Sequence, residues 1–246
     1  LKEILPFRAL FLQENNFQIR YNACHERNWS DSYLLFVDGI VVGYGSVKGK
    51  DSLTARDAVF EFYVSSPYRG LSSFIFHELI TTSAATFIEC QSNDINLSSM
   101  LYEFSKNSIA DVILFDDGIA TNHKIPNVIF RHRKDGDTIF KHTFEPIGDY
   151  VLEWEGEIVA TGGFMLHYNL PFADLFMEVM QNKRRIGLGS FLIQELKKEC
   201  YLSGRVPAAR CNIDHTASKS TLIKAGMKVC GYMLTGELVN QTRPLH

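Results

Sequence analysis

Two stretches of this chain answer each other at one spacing. The turn pair Asp38-Gly39, flanked by YLLFV and IVVGYGSV, is matched 117 positions later by Glu155-Gly156 inside YVLEWEGEIVATGGFML. The same interval sets Gly70-Leu71-Ser72-Ser73-Phe74 against Gly187-Leu188-Gly189-Ser190-Phe191, and Glu78-Leu79 against Glu195-Leu196. Single motifs recur by chance, but separate segments that hold one gapless interval point to a tandem duplication. Each copy has the size of a small domain. An acidic-glycine pair between two apolar runs reads as a strand, a tight turn and a strand. A hairpin followed by strand, turn and helix gives an α+β unit with a mixed sheet.

The rest of the chain fits that plan. Residues 1–19 carry Ile4, Leu5, Phe7, Leu10, Phe11, Leu12 and Phe17, with Pro6 at a helix start or break, so one or two short helices are expected. Strands are expected at 58–64, 85–90 and 110–115, and helices at 71–83 and 97–104. Between the copies, 127–130 and 138–144 read as strands around Asp135-Gly136. The basic run Arg131-His132-Arg133-Lys134 reads as a solvated hairpin face, and Asp116-Asp117-Gly118 as a turn that closes a strand. In the second copy 206–213 reads as a strand, and 228–238 as a final strand or strand pair. That copy lacks the helical opening of the first.

Residues 178–200, EVMQNKRRIGLGSFLIQELKKEC, carry the chemistry. The apolar strand LFMEVM runs into three cations, Lys183, Arg184 and Arg185, then Gly187 and Gly189. Leu188, Phe191, Leu192, Leu196 and Cys200 follow near helical spacing and form one apolar stripe. Glycines let a backbone approach a ligand, and the free N–H groups of a first helical turn attract anions. Arginines add charge-assisted bonds to phosphate oxygens. A dinucleotide fingerprint requires a third glycine where Leu192 stands, and a P-loop requires Gly-Lys-Ser/Thr where Gly189-Ser190-Phe191 stand.

Arg184-Arg185-Ile186-Gly187-Leu188-Gly189 instead resembles the R/Q-x-x-G-x-G/A motif of the GNAT superfamily of N-acetyltransferases. Downstream, His215-x-x-Ser218, Thr221, Leu222, Lys224 and Ala225-Gly226-Met227 resemble the family's N-x-x-S/A-x-x-ϕ-ϕ-x-K-x-G-F segment. The resemblance covers about half of the chain well. It implies two GNAT-like units in tandem, each a mostly antiparallel mixed sheet flanked by helices. Residues 1–125 would be a degenerate copy and 126–246 the catalytic domain that binds acyl-coenzyme A. In the first copy Ser72 replaces the second glycine and only Arg69 stands near the turn. Tyr102 there resembles the family's Leu-Tyr pair, but no Gly-Phe follows it. That half would complete the substrate cleft or brace the active one.

The resemblance also implies acetyl-coenzyme A as co-substrate. Its pyrophosphate would meet the N–H groups of Ile186, Gly187, Leu188, Gly189 and Ser190, near Arg184 and Arg185. Val179 and Met180 would bind the pantetheine amide and contribute to the oxyanion site. His215 and Ser218 would flank the pantetheine arm. Two departures concern the chemistry. His215 stands for the usual Asn, and Leu222 for the Tyr that protonates the leaving thiolate in many members. The strand position of the family's base is Ala173. Glu178 and Asp174 lie on the opposite face of a regular strand. Glu178 is a base acting through a water, or a solvated or salt-bridged carboxylate. His215 is a proton-transfer group or a helix-start residue. Cys211 reads as packing, and Tyr232 as a core residue and reserve acid.

Bulk properties narrow the partners. The net charge of −3 argues against a general nucleic-acid binder. No apolar run reaches membrane-spanning length. Five cysteines without CxxC spacing fit reduced thiols in the cytoplasm better than a disulfide framework. The expected activity is acetyl transfer to a primary amine of a small molecule or peptide, with a homodimer compatible. The rival is a non-catalytic acyl-coenzyme A sensor or scaffold, or an interaction module without cofactor.

Overall fold

The computed structural model describes residues 2–15, 18–19 and 21–239. Leu1, Phe17 and 240–246, over which the expected helices and domains extend, lie outside them. The chain divides into two units, Leu1–Val112 with Gly231–His246, and Ile113–Cys230. Both are α+β.

The first unit opens with helices α1 (Leu5–Glu14) and α2 (Tyr21–Glu26). Pro6 stands in the first turn of α1, where its missing N–H has no partner to lose. Then come β1 (Ser30–Val37), β2 (Ile40–Lys48), β3 (Ala58–Val64), α3 (Ser72–Ser83), β4 (Phe87–Gln91) and α4 (Ile95–Phe104). Strand β5 (Ser105–Asp117) starts in the first unit and ends in the second; β11 (Met227–Leu238) does the reverse. The first unit's strand order is β1-β2-β3-β4-β11, with β3 and β4 parallel and β1–β2, β2–β3 and β4–β11 antiparallel. Phe62, Val64, Ile75, Phe76, Leu79, Leu101 and Phe104 pack in one core. Ile4, Phe11, Tyr44 and Tyr63 pack in another. Glu61 of β3 is fully buried and meets Arg8, His25 and Tyr44.

The second unit holds β6 (Val128–His132), β7 (Tyr150–Trp154), β8 (Glu157–Met165), β9 (Phe172–Val179), α5 (Leu188–Leu202), β10 (Val206–Asn212) and α6 (Thr216–Lys224). Its strand order is β5-β10-β9-β8-β7-β6. Helix α5 buries Leu188, Leu192, Ile193, Leu196 and Cys200, the stripe expected from the sequence with Ile193 in place of Phe191. Each such aliphatic side chain contributes about 1.5–3 kcal/mol relative to exposure.

The two hairpins repeat in detail. Asp38 and Gly39 have φ of 50° and 78°, Glu155 and Gly156 54° and 81°. Positive φ at both central residues matches the right-handed twist of the flanking strands. The ladders also slip at the same place, between Leu35/Phe36 and between Leu152/Glu153. Beyond the hairpins the interval drifts. Arg69 Nε donates to Val64 O and Arg184 Nε to Val179 O, an interval of 115, while Leu79 and Leu196, 117 apart, stand against Gly45 and Gly162, also 117 apart. The cause is loop length, because 49–57 joins β2 to β3 whereas 166–171 joins β8 to β9.

One expected strand is absent. Residues 138–144 form no ladder, since the N–H groups of Thr143 and Phe144 go to a side chain, the Glu178 carboxylate. Arg131 in the basic run is not a solvated cation: its guanidinium grips Asp137 and Glu153 at 2.8 and 2.7 Å. Asp117 sits 2.6 Å from the buried Lys197 Nζ.

Candidate functional site

Strand β9 ends at Val179, a short 3₁₀ turn covers Gln181–Lys183, and α5 starts at Leu188. Arg185 has φ of 68° and Gly187 of 96°, both left-handed. No residue of the matching turn in the first unit, 65–72, has positive φ. Gly187 caps α5 without any side-chain hydrogen bond, so the amides of the first helical turn have no capping acceptor. A Cβ on Gly187 would meet only Ile125 Cδ1, at 3.8 Å, so the space in front of the turn is open.

The three cations have different jobs. Lys183 Nζ lies 4.8 Å from the centroid of the Trp154 ring and 3.7 Å from Glu157. Arg184 donates to Val179 O at 2.9 Å and reaches Glu178 at 3.5 Å. Arg185 is exposed and makes no hydrogen bond or ion pair among the described residues. A free guanidinium, two left-handed residues and an uncapped helix start form a set that fits a diphosphate.

The neighbouring strands supply a slot. Parallel pairing of β9 with β10 runs from Phe172↔Val206 to Asp174↔Ala208 and stops there. Met180 N–H donates to Val159 O at 2.9 Å, which fixes the phase of β9. The even-numbered residues therefore turn their main-chain groups to β8, and the odd-numbered ones toward β10. Main-chain groups of Met177 and Val179 thus face the β10 side beyond the last rung. The Val179 carbonyl is taken by Arg184, and the Met180 N–H by β8.

Other expected site residues are placed as follows. Gly189 is a contact glycine: its Cβ would approach Thr221 Cγ2 to 3.0 Å and Met177 Cε to 3.1 Å. Leu188 and Ser190 are buried, and Ser190 Oγ donates to Thr221 O at 3.2 Å. Ile186 is half exposed. His215 starts α6, exposed, with its ring 6.1 Å from that of Phe144 in an edge contact. Ser218 lies on α6, and burial pushes the pKa of the Cys211 thiol up. Leu222 and Ala173 are buried and carry no ionisable group.

Glu178 is 5% exposed and accepts the N–H groups of Thr143, Phe144 and Glu145 at 2.9, 3.0 and 3.0 Å. Burial alone would raise its pKa; those three amides outweigh it and hold the carboxyl below the usual carboxylate range. Asp174, on the same face of β9, is 4% exposed and lies 3.2 Å from His167 Nε2 and 3.8 Å from Arg210 Nε. His142 Nδ1 sits 2.9 Å from Glu145 O and Nε2 3.1 Å from Thr161 Oγ1. Glu145 completes the group. Burial raises its pKa, Asp174 and Glu178 add to that, and Arg210 and His142 oppose it.

Sequence reasoning reached Asp174 and Glu178 but not Glu145, His142, His167 or Arg210. One signal was available: two carboxylates four apart on one face of an apolar strand must find partners. A separate pocket lined by His132, Arg133, Asp149, Tyr150 and Phe164 is elsewhere, on the α5 side, since Tyr150 Oη bonds Glu199.

No family model and no curated protein matches this chain. Solved structures do. An acetyltransferase of the GNAT family from Colwellia psychrerythraea superposes with a TM-score of 0.64 at 13% identity, over 85% of this chain and 85% of that one. A GCN5-related N-acetyltransferase from Sphaerobacter thermophilus gives 0.53 at 16%, over 84% and 80%. A tandem GNAT protein from the clavulanic acid biosynthesis pathway gives 0.51 at 10%, over 85% and 82%. The fold is thus of the GNAT type. No helix among the described residues is long and apolar enough to cross a membrane.

Proposed function

We propose that this protein transfers an acetyl group from acetyl-coenzyme A to a primary amine of a small molecule or peptide, at a site in the second unit. The observation that carries this reading is the uncapped start of α5 beside the unpaired Arg185, at the end of a strand whose β10 side opens after Asp174. When bound, acetyl-coenzyme A supplies an activated acyl carbon. The amides from Ile186 to Ser190 and the Arg185 guanidinium hold its diphosphate, and the edge of β9 at Met177 and Val179 orients the arm. Arg184 braces the strand end. His215 and Ser218 flank the slot from α6. In this reading Glu178 anchors the backbone of 143–145.

The repeated hairpin bulge and the matched Arg69 and Arg184 bonds support a duplicated chain whose first unit is a diverged copy. Without positive φ at 65–72, that copy lacks the turn conformation that turns amides toward an anion.

A second reading has its own support. Leu222 and Ala173 put no acid or base at two positions where the family often has one, which favours a non-catalytic acyl-coenzyme A sensor. Calorimetric titration with acetyl-coenzyme A tests the shared site: wild type binds and Gly187→Glu does not, because its carboxylate enters the anion space. Equal affinity of the two proteins overturns the placement. Thiol release across an amine panel separates enzyme from sensor.

A further inference from the structure

The acyl-transfer reading leaves a question that the other face of β9 answers: which group takes the proton of the acceptor amine. This inference rests on that reading. Asp174 stands at the last rung shared with β10, and Arg210 two residues past its partner Ala208, so both flank the point where the strands part. The segment 142–145 lies over this face. Its backbone is tied down by the three N–H bonds to Glu178 and by His142, which bridges Glu145 O and Thr161 Oγ1.

Each neighbour of Glu145 is already engaged. Glu178 holds three amides. Asp174 is buried against His167 and Arg210. Both ring nitrogens of His142 have partners. The Glu145 carboxylate is partly exposed and makes no hydrogen bond or ion pair among the described residues. We propose that Glu145 accepts the proton of the acceptor amine and that Glu178 is the positioning residue that holds it over the opening between β9 and β10.

In the step, an ammonium acceptor gives one proton to the Glu145 carboxylate, which passes it to solvent. The nitrogen forms a bond to the acyl carbon while the C–S bond breaks. Sulfur keeps the bonding pair and takes up a further nitrogen proton. The charged groups that act most on Glu145 are Asp174 and Glu178 from β9, Arg210 from β10, and His142 from its own segment. Burial and the two carboxylates shift it upward, which narrows the gap to an amine near pKa ~10.

Three variants test this, Glu145→Gln, Glu145→Asp and Glu178→Gln, first without ligand. Carboxyl ¹³C NMR of the free protein should show a Glu resonance titrating above the usual range and missing in Glu145→Gln. Amide exchange at Thr143, Phe144 and Glu145 should accelerate in Glu178→Gln. Thiol release from acetyl-coenzyme A with a panel of primary amines comes next. Glu145→Gln should lower kcat about 10²-fold and remove the acidic limb of the pH profile, with cofactor affinity within about twofold. Glu145→Asp should restore part of kcat and a shifted limb. Full kcat with an unchanged limb in Glu145→Gln overturns the proton assignment, and unchanged exchange in Glu178→Gln overturns the positioning role. A wild type that binds acetyl-coenzyme A but releases no thiol with any amine overturns the enzyme reading, and this inference with it.

Discussion

Arg185 carries both a left-handed backbone and a cation without a partner among the described residues, a combination the residues around it do not share. Arg185→Ala should weaken acetyl-coenzyme A binding about 5–20-fold, in line with the ~1.5–3 kcal/mol of a charge-assisted bond less its solvent screening. The loss should shrink at high salt. Lys183→Ala should stay within about twofold, because that amine sits over Trp154. Titrations at two ionic strengths check both. Glu61 makes the residue-scale stability prediction. Burial opposes its charge, but Arg8 and then His25 outweigh it and hold its pKa down at about 2. A depressed carboxylate contributes stability above its unfolded value of about 4.5, and loses it as pH falls through about 2. Glu61→Gln leaves Arg8 buried without its counter-charge and should cost about 3–5 kcal/mol at neutral pH. Urea midpoints across pH 7 to 2 should show the difference from wild type closing on the acid side. The sequence displayed the glycines and arginines of the turn as chemistry. It did not display which arginine is free, because that depends on the carbonyl of Val179 being within reach of Arg184.

Elements whose signal is local were legible, and those held by distant side chains were not. The hairpins at Asp38-Gly39 and Glu155-Gly156 announce themselves through turn chemistry. Residues 138–144 alternate like a strand, yet Glu178, far along the chain, takes their amides. Helix α6 ends at Lys224, and Gly226, just past its cap Ala225, has φ of 84° and an N–H donating to Ile223 O. An added Cβ there would lie 2.2 Å from Ile119 O, so Gly226→Ala should destabilise by more than about 1 kcal/mol, strain and clash together, read by denaturant midpoint. Lys197 is the hub of α5: its ammonium meets Asp117 at 2.6 Å and donates to Ile119 O and Ala225 O at 2.8 and 3.1 Å. Lys197→Met should lower stability by about 3 kcal/mol, because Asp117 and two carbonyls lose their donor.

At the scale of the whole chain, the 117-residue interval holds at both hairpin turns and their ladder slips, while the matching arginine bonds, Arg69 to Val64 and Arg184 to Val179, stand 115 apart. The unit borders were less legible than the repeat. A cut at 125 falls in the stretch that joins the two expected copies, and the first unit takes Gly231–Leu238 as the neighbour of β4, paired from Met233↔Gln91 to Glu237↔Phe87. A fragment of 1–125 should therefore aggregate or fail to fold, since β4 would present a bare edge. Appending 227–239 through a flexible linker should yield a folded species by circular dichroism and sedimentation.

That strand has a temporal consequence. A ribosome delivers β4 early and its neighbour only after the entire second unit, so the nascent first unit must wait with amides exposed. The amino-terminal half would then be the later of the two to mature, and the more dependent on chaperones during synthesis.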